Sequence, residues 1–259
     1  MRVGVVGAAG RMGSEVCRAV DAASDLELAA AVDPNAAGRD LGEVAGAGTG
    51  IVIAGDLNAL PEANVAVAVE FTSPATVGDN LKWLLEHDIH AVVGATGISD
   101  GDLARAAALA AEGNANVLVA PNFAIGAVLM MQFAAEAARH LPDVEIVELH
   151  HDRKVDAPSG TALRTAELVG DARIQIPDAV PGDDQNPPAR GLSHHGVPVH
   201  SVRLPGLVAH QEVVFGGTGQ TLTIRHDSID RTSFMPGVLL ACREVGGLDG
   251  LVVGLEHVL

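Results

Sequence analysis

Apolar and polar positions alternate along the chain in two rhythms, one of short apolar runs and one of helical spacing. Arg2–Gly7 reads RVGVVG, an apolar run closed by glycine, and predicts a buried strand. In Gly10–Ala23, Met12, Val16, Ala19 and Val20 recur at helical spacing. LELAAAVD (26–33), IVIAGD (51–56), VAVAVEFT (65–72), HAVVG (90–94) and NVLVAPNF (116–123) predict further strands, and 34–50 reads as a loop. One helix is predicted to start with Ser73 as N-cap and Pro74 at its first position; Ser99 with Asp102 resembles a capping box for a second over 101–112. The resulting order, β-α-β-β-β-α-β-α-β, predicts an open, mostly parallel α/β sheet.

The rhythm changes after a helix over about 124–140. VEIVELHH (144–151) predicts a strand, a helix follows over about 159–169, and 170–197 is a loop rich in Pro, Gly and Asp. PVHSVRL, VAHQEVVFG and QTLTIRHDS are then three consecutive strands, the mark of a mixed or antiparallel sheet. The expected organisation is a dinucleotide-binding domain over 1–124, completed by 230–259, and an α+β domain over 125–229 for substrate binding and oligomerisation.

Composition narrows the function. Hydrophobic residues make up 48% of the 259 residues and aromatics only 2%, so Val, Leu, Ile and Ala must form the core. A formal net charge of -17 with no basic run argues against nucleic acid as a partner. No apolar run is long enough for a membrane span, and a first strand beginning at Arg2 leaves no room for a signal peptide. Cys17 and Cys242 make no disulfide framework, so a cytoplasmic setting is expected. No Cys/His spacing matches a zinc site, the His-rich run 193–200 is too loose to read as a metal tract, and no metal is expected.

Two segments carry chemistry. GAAGRMG places Gly7, Gly10 and Gly13 between the first strand and the first helix, where backbone can approach a pyrophosphate at the helix N-terminus. Asp33 ends the second strand, where a carboxylate accepts hydrogen bonds from adenosine ribose hydroxyls. It repels a 2′-phosphate and favours NADH, a repulsion that Arg11 or Arg39 could offset. GATG (94–97) and APNF (120–123) end strands where open α/β sheets bind ligands.

The second segment, ELHHDRKVDAPSGTA (148–162), holds Lys154, one of only two lysines beside fourteen arginines. It offers an imidazole acid/base, an ammonium, and the first-turn N–H groups of a helix start at Gly160 and Thr161, with Ser159 able to cap. That set suits a small carboxylic acid. Ser159 lacks a G-x-S-x-G setting, so the segment is not read as a serine hydrolase.

GAAGRMG, EFTSP, VVGATG, APNFAIGAV, ELHHDRKVDAPSGTA and HDSIDRTSF run in the order seen in dihydrodipicolinate reductases, which the chain resembles over nearly its whole length. The resemblance implies a Rossmann-type N-terminal domain and a C-terminal α+β domain whose sheets meet in a homotetramer. It implies reduction of 4-hydroxy-tetrahydrodipicolinate, a cyclic dicarboxylic imine, with NADH or NADPH on the diaminopimelate route to lysine. By motif, His150 corresponds to the acid/base and Lys154 to the second catalytic group; His151, Gly160 and Thr161 hold substrate. Gly7, Ala8, Ala9, Gly10, Arg11 and Met12, with Asp33, Gly94, Ala95, Thr96, Ala120, Pro121, Asn122 and Phe123, hold the nucleotide.

Departures from the family pattern are Ala95 in place of the first threonine of Gly-Thr-Thr-Gly, and Glu70 and Ser73 in place of Asp and His. In addition, no basic residue follows Asp33, which again tilts toward NADH. Two rival readings are a homoserine- or sugar-type NAD-dependent dehydrogenase and a non-catalytic NAD(H)-sensing regulator.

Overall fold

The computed structural model describes residues 1–95, 97–175 and 187–259. The chain runs β1 (Arg2–Val6), α1 (Arg11–Ala22), β2 (Glu27–Val32), α2 (Leu41–Ala45), α3 (Ala59–Glu62), β3 (Val67–Glu70), α4 (Val77–Glu86), β4 (His90–Val93), α5 (Asp100–Glu112) and β5 (Val117–Val119). It continues with α6 (Ile125–Ala138), β6 (Asp143–His150), α7 (Gly160–Ala172), β7 (Leu192–His194), β8 (Val197–Arg203), β9 (Ala209–Gly217), β10 (Gln220–Ser228), α8 (Met235–Glu244) and β11 (Leu251–Val253). The described residues form two compact units, Met1–Phe123 with Phe234–Leu259, and Ala124–Ser233.

The first unit is built on a parallel sheet of order β11-β5-β4-β3-β1-β2. Its inner strands are apolar on both faces, because crossover helices exclude water from each side. In α4, Val77, Leu81, Leu84 and Leu85 fall on one stripe and are buried in the core with β3 and β4 side chains. Truncating a fully buried leucine such as Leu81 to alanine costs about 2–5 kcal/mol. The Ser99 hydroxyl caps α5 by accepting the Asp102 N–H at 3.1 Å.

Three local expectations are corrected. Residues 51–56 form no strand; Val52 and Ala54 make single bridges to Asp40 and Val32. The segment meets the edge strand β2 only at its end, where the Asp33 N–H donates to Ala54 O, and then turns away. α4 starts at Val77 rather than at Pro74, because the Ser73 hydroxyl joins a chain with those of Thr76 and Thr72 instead of capping. Within 34–50, read as loop, lie a single 3-10 turn and the short α2, which the Asp40 carboxylate caps through the Gly42 N–H.

The second unit has a mixed sheet of order β10-β9-β6-β8-β7. β6 is its centre, parallel to β8 and antiparallel to β9. The period of two puts Val144, Ile146 and Glu148 on one buried face, opposite Phe215, Val213 and Gln211 of β9. α6 and α7 pack on each other and on this sheet. Val147, Leu149 and Val214 lie on the other face, half-buried. Among the described residues, no helix is long and apolar enough to cross a membrane.

Candidate active site and nucleotide site

The C-terminal end of β6 gathers the acid–base groups. Residues two apart on a strand share a face, so Glu148 and His150 point the same way, and the Glu148 carboxylate is hydrogen-bonded to His150 Nδ1. Arg203 of β8 lies opposite His150 in register and reaches across to Glu148 with two N–H donors, at 2.9 and 2.8 Å. The Ser159 N–H is a further donor at 3.3 Å. Glu148 is fully buried. Burial alone would push its pKa up, but hydrogen bonds from His150, Arg203 and Ser201 outweigh that and hold it at about 2. The carboxylate is therefore a fixed negative charge. With Nδ1 held, the imidazole orientation is set and Nε2 is the nitrogen left for chemistry.

Past the strand end the chain turns, the Lys154 N–H donating to His151 O. The Lys154 ammonium donates to both oxygens of Asp156, at 2.9 and 2.8 Å, and that ammonium holds the Asp156 pKa below its usual range. Asp156 is fastened in turn through its carbonyl, which accepts Arg203 Nη2 at 2.7 Å. His151 Nδ1 is buried without a hydrogen-bond partner among the described residues. Ser159 caps α7, its hydroxyl accepting the Ala162 N–H at 3.2 Å. Gly160 and Thr161 form the first turn, and open space surrounds the position a Cβ on Gly160 would occupy. This end of the second unit thus assembles an oriented imidazole, a tethered ammonium, an orphaned buried nitrogen and a helix N-terminus.

The first unit carries the glycine turn. Gly7 has φ +82°, and a Cβ there would lie 2.7 Å from Phe71 O; one on Gly13 would lie 2.0 Å from Gly7 O. Both must be glycine for strand and helix to meet so closely. Ala8 is buried, Ala9 half-buried, and Gly10 and Arg11 exposed, while Met12 lies half-buried in the first turn of α1. Among the described residues no side chain caps α1 and its first turn has no carboxylate, so its N-terminus suits an anion. Asp33, nearly buried, accepts the Ala9 N–H at 3.1 Å and the Asn35 N–H at 3.0 Å, which fixes the carboxylate and leaves acceptor capacity. Beside it lies a cavity of about 590 Å³ lined by Gly7, Gly10, Asp33, Asn58, Thr72 and Trp83. These features fit a dinucleotide.

Gly94 and Ala95 follow β4, and the Gly94 N–H donates to Glu70 O at 3.0 Å. Thr96 lies outside the described residues. Ala120 is buried, Pro121 exposed and Asn122 half-buried after β5, while the Phe123 ring is buried against Phe71 at 5.8 Å. Glu70, fully buried under the cavity wall, has its pKa raised by burial, partly offset by the Thr72 hydroxyl and the Asn80 amide.

Two family models divide the chain between them: dihydrodipicolinate reductase, N-terminus, over residues 1–123, and dihydrodipicolinate reductase, C-terminus, over 126–259. The chain belongs to the dihydrodipicolinate reductase family. It is 51% identical to a 4-hydroxy-tetrahydrodipicolinate reductase of Mycolicibacterium smegmatis over 264 residues, covering 100% of this chain and 99% of that one. A protein of the same name from Streptomyces coelicolor is 53% identical, with 100% and 98% covered. A solved dihydrodipicolinate reductase from Paenisporosarcina sp. TG-14, with dipicolinate bound, superposes with a TM-score of 0.87 at 40% identity, covering 100% of this chain and 99% of that one.

Membership makes the chain an oxidoreductase and sets aside the homoserine- or sugar-type dehydrogenase and the non-catalytic sensor. It supports use of a reduced nicotinamide nucleotide, NADH or NADPH. The fold is the one the hydrophobic pattern predicts, a Rossmann-type parallel sheet followed by a domain with a mixed sheet.

Sequence reasoning assigned no role to Glu148, Arg203 or Asp156. For Glu148 a signal existed, since it stands two before His150 on a strand. For Arg203 there was none: 55 residues separate it from Glu148, and only the β6–β8 pairing brings them together.

Proposed function

We propose that His150 and Lys154 carry the proton chemistry of this reductase, and that the glycine turn with Asp33 holds its nucleotide. The chain reduces 4-hydroxy-tetrahydrodipicolinate to tetrahydrodipicolinate, a step of lysine biosynthesis by the diaminopimelate route. NADH or NADPH supplies the hydride when bound. His150 delivers the proton that the reduced ring needs from Nε2, and Glu148 stabilises the imidazolium form that gives it up. Lys154, steered by Asp156, binds substrate carboxylate and serves as the second catalytic group. His151, Gly160 and Thr161 hold the remaining carboxylate charge, through the orphaned Nδ1 and the N–H groups of the α7 first turn.

The nucleotide role extends to Ala8, Ala9, Arg11, Met12, Gly94, Ala95, Thr96, Ala120, Pro121, Asn122 and Phe123. Asp33 followed by Pro34 favours NADH. A homotetramer built on the half-buried sheet face of the second unit accounts for Val147, Leu149 and Val214, and the cytoplasm is the proposed compartment.

The observation that carries this reading is the Glu148 carboxylate clamped between His150 and Arg203. Its test is nucleotide oxidation with freshly condensed aspartate semialdehyde and pyruvate. His150→Ala should lower kcat by about 10²–10⁴ with NADH affinity unchanged. Undiminished turnover would overturn the assignment.

A further inference from the structure

Outside the site just described, α7 and the β7–β8 hairpin bring together Glu167, His194 and His195, with one nitrogen or oxygen of each within 4.8 Å of the others. The cluster is built by the backbone. His194 pairs with Val197, so His195 and Gly196 are a two-residue hairpin loop, and both have positive φ, +48° and +71°. In an extended chain, neighbouring side chains project to opposite faces. The left-handed turn at His195 instead swings its ring alongside that of His194, with centroids 4.9 Å apart.

Gly170 of α7 lets the hairpin seat closely, since a Cβ there would stand 2.6 Å from His195 O. Arg173, the C-cap of the same helix, fastens the loop by donating to Gly196 O at 2.9 Å. On the helix, Glu167 and Asp171 are four apart and share a face. Glu167 Oε1 lies 3.3 Å from His194 Nε2, and Asp171 Oδ1 lies 3.4 Å from His195 Nδ1.

We propose that Glu167, His194 and His195 bind one divalent transition metal ion, Zn²⁺ by donor type, clamping the hairpin to α7. Two ligands of a tetrahedral zinc stand about 3.3–3.5 Å apart, the spacing already present between Oε1 and Nε2. With Nδ1 engaged by Asp171, His195 offers Nε2, and the carboxylate orients the ring as an outer-shell partner. Arg164 pairs with the other Glu167 oxygen at 3.1 Å and leaves Oε1 toward the histidines. Two imidazoles and one carboxylate select zinc over magnesium or calcium, and a water completes the four positions. Closing the 4.8 Å set around one ion needs the rings to move by about 1 Å. The side chains of His194 and His195 are 31% and 45% exposed and have that room.

The test is calorimetric titration of ZnCl₂ into chelator-stripped full-length protein, with Co²⁺ visible absorption as the geometry readout. The structure calls for one zinc-binding event per chain that is absent from the His194→Ala/His195→Ala double variant. Glu167→Gln should weaken it similarly, and Asp171→Asn by about 10–100-fold. His195→Asn keeps a residue suited to the left-handed turn, so it separates loss of a ligand from loss of the hairpin. No zinc binding, or equal binding by wild type and the His195→Asn and double variants, overturns the proposal.

Discussion

Replacing Glu148 by glutamine keeps the volume of the side chain and removes its charge. The carboxylate is fully buried, accepts two Arg203 donors and the Ser159 N–H, and is bonded to His150. Its pKa is held at about 2 against an ordinary 4.5. At 1.36 kcal/mol per unit, that difference corresponds to about 3 kcal/mol of preference for the charged form in the folded protein.

Because the folded pKa is depressed, this stabilisation is complete above the unfolded value and is lost as pH falls from about 4.5 toward 2. Glu148→Gln should therefore lower stability by about 3–5 kcal/mol at pH 7, the range for leaving one partner of a buried pair uncompensated. The variant should also lack this group's contribution to acid destabilisation. On the chemistry, His150 loses a charge-assisted hydrogen bond worth about 1.5–3 kcal/mol, so kcat should fall by about 10–160-fold while nucleotide affinity holds. Urea unfolding across pH and steady-state kinetics with separate NADH titration read both effects. An unchanged urea midpoint together with wild-type kcat would refute the clamp.

Lys154→Arg keeps the charge but not a compact, steerable donor, so kcat should drop by about 10²–10⁴; near wild-type kcat would reduce Lys154 to a counter-charge. Asp33→Ala should weaken NADH more than NADPH in fluorescence titrations, because it removes a hydroxyl acceptor and a repulsion together; equal affinities before and after would sink the ribose assignment. Gly13→Ala places a methyl 2.0 Å from Gly7 O and should cost about 1–3 kcal/mol in thermal unfolding along with nucleotide affinity, an expectation refuted if both are retained. Light scattering at micromolar concentration should find an oligomer, and a stable monomer would count decisively against assembly through the sheet of the second unit.

Periodicity in the sequence was enough for the parallel strands, since burial on both faces forces continuous apolar runs such as 67–69 and Val117–Val119. It was enough for the α5 cap at Ser99, the strand end at His150 and the helix start after Ser159, because caps, strand ends and helix starts are local. It failed at 51–56, where a short apolar run meets only the end of an edge strand, and at Ser73, whose hydroxyl found Thr76 instead of a backbone N–H.

The contacts between distant segments were decided only by the folded chain. Arg203 reaches Glu148 because β8 pairs with β6, not because of any pattern in between. Spacing along the run 193–200 does not show that a left-handed turn at His195 sets its ring beside that of His194, within reach of Glu167 and Asp171 of α7. Sequence determines what each segment can do alone, since propensity and periodicity act over a few residues. Which side chains share a site depends on strand order and register, and these are set by burying all the apolar faces at once.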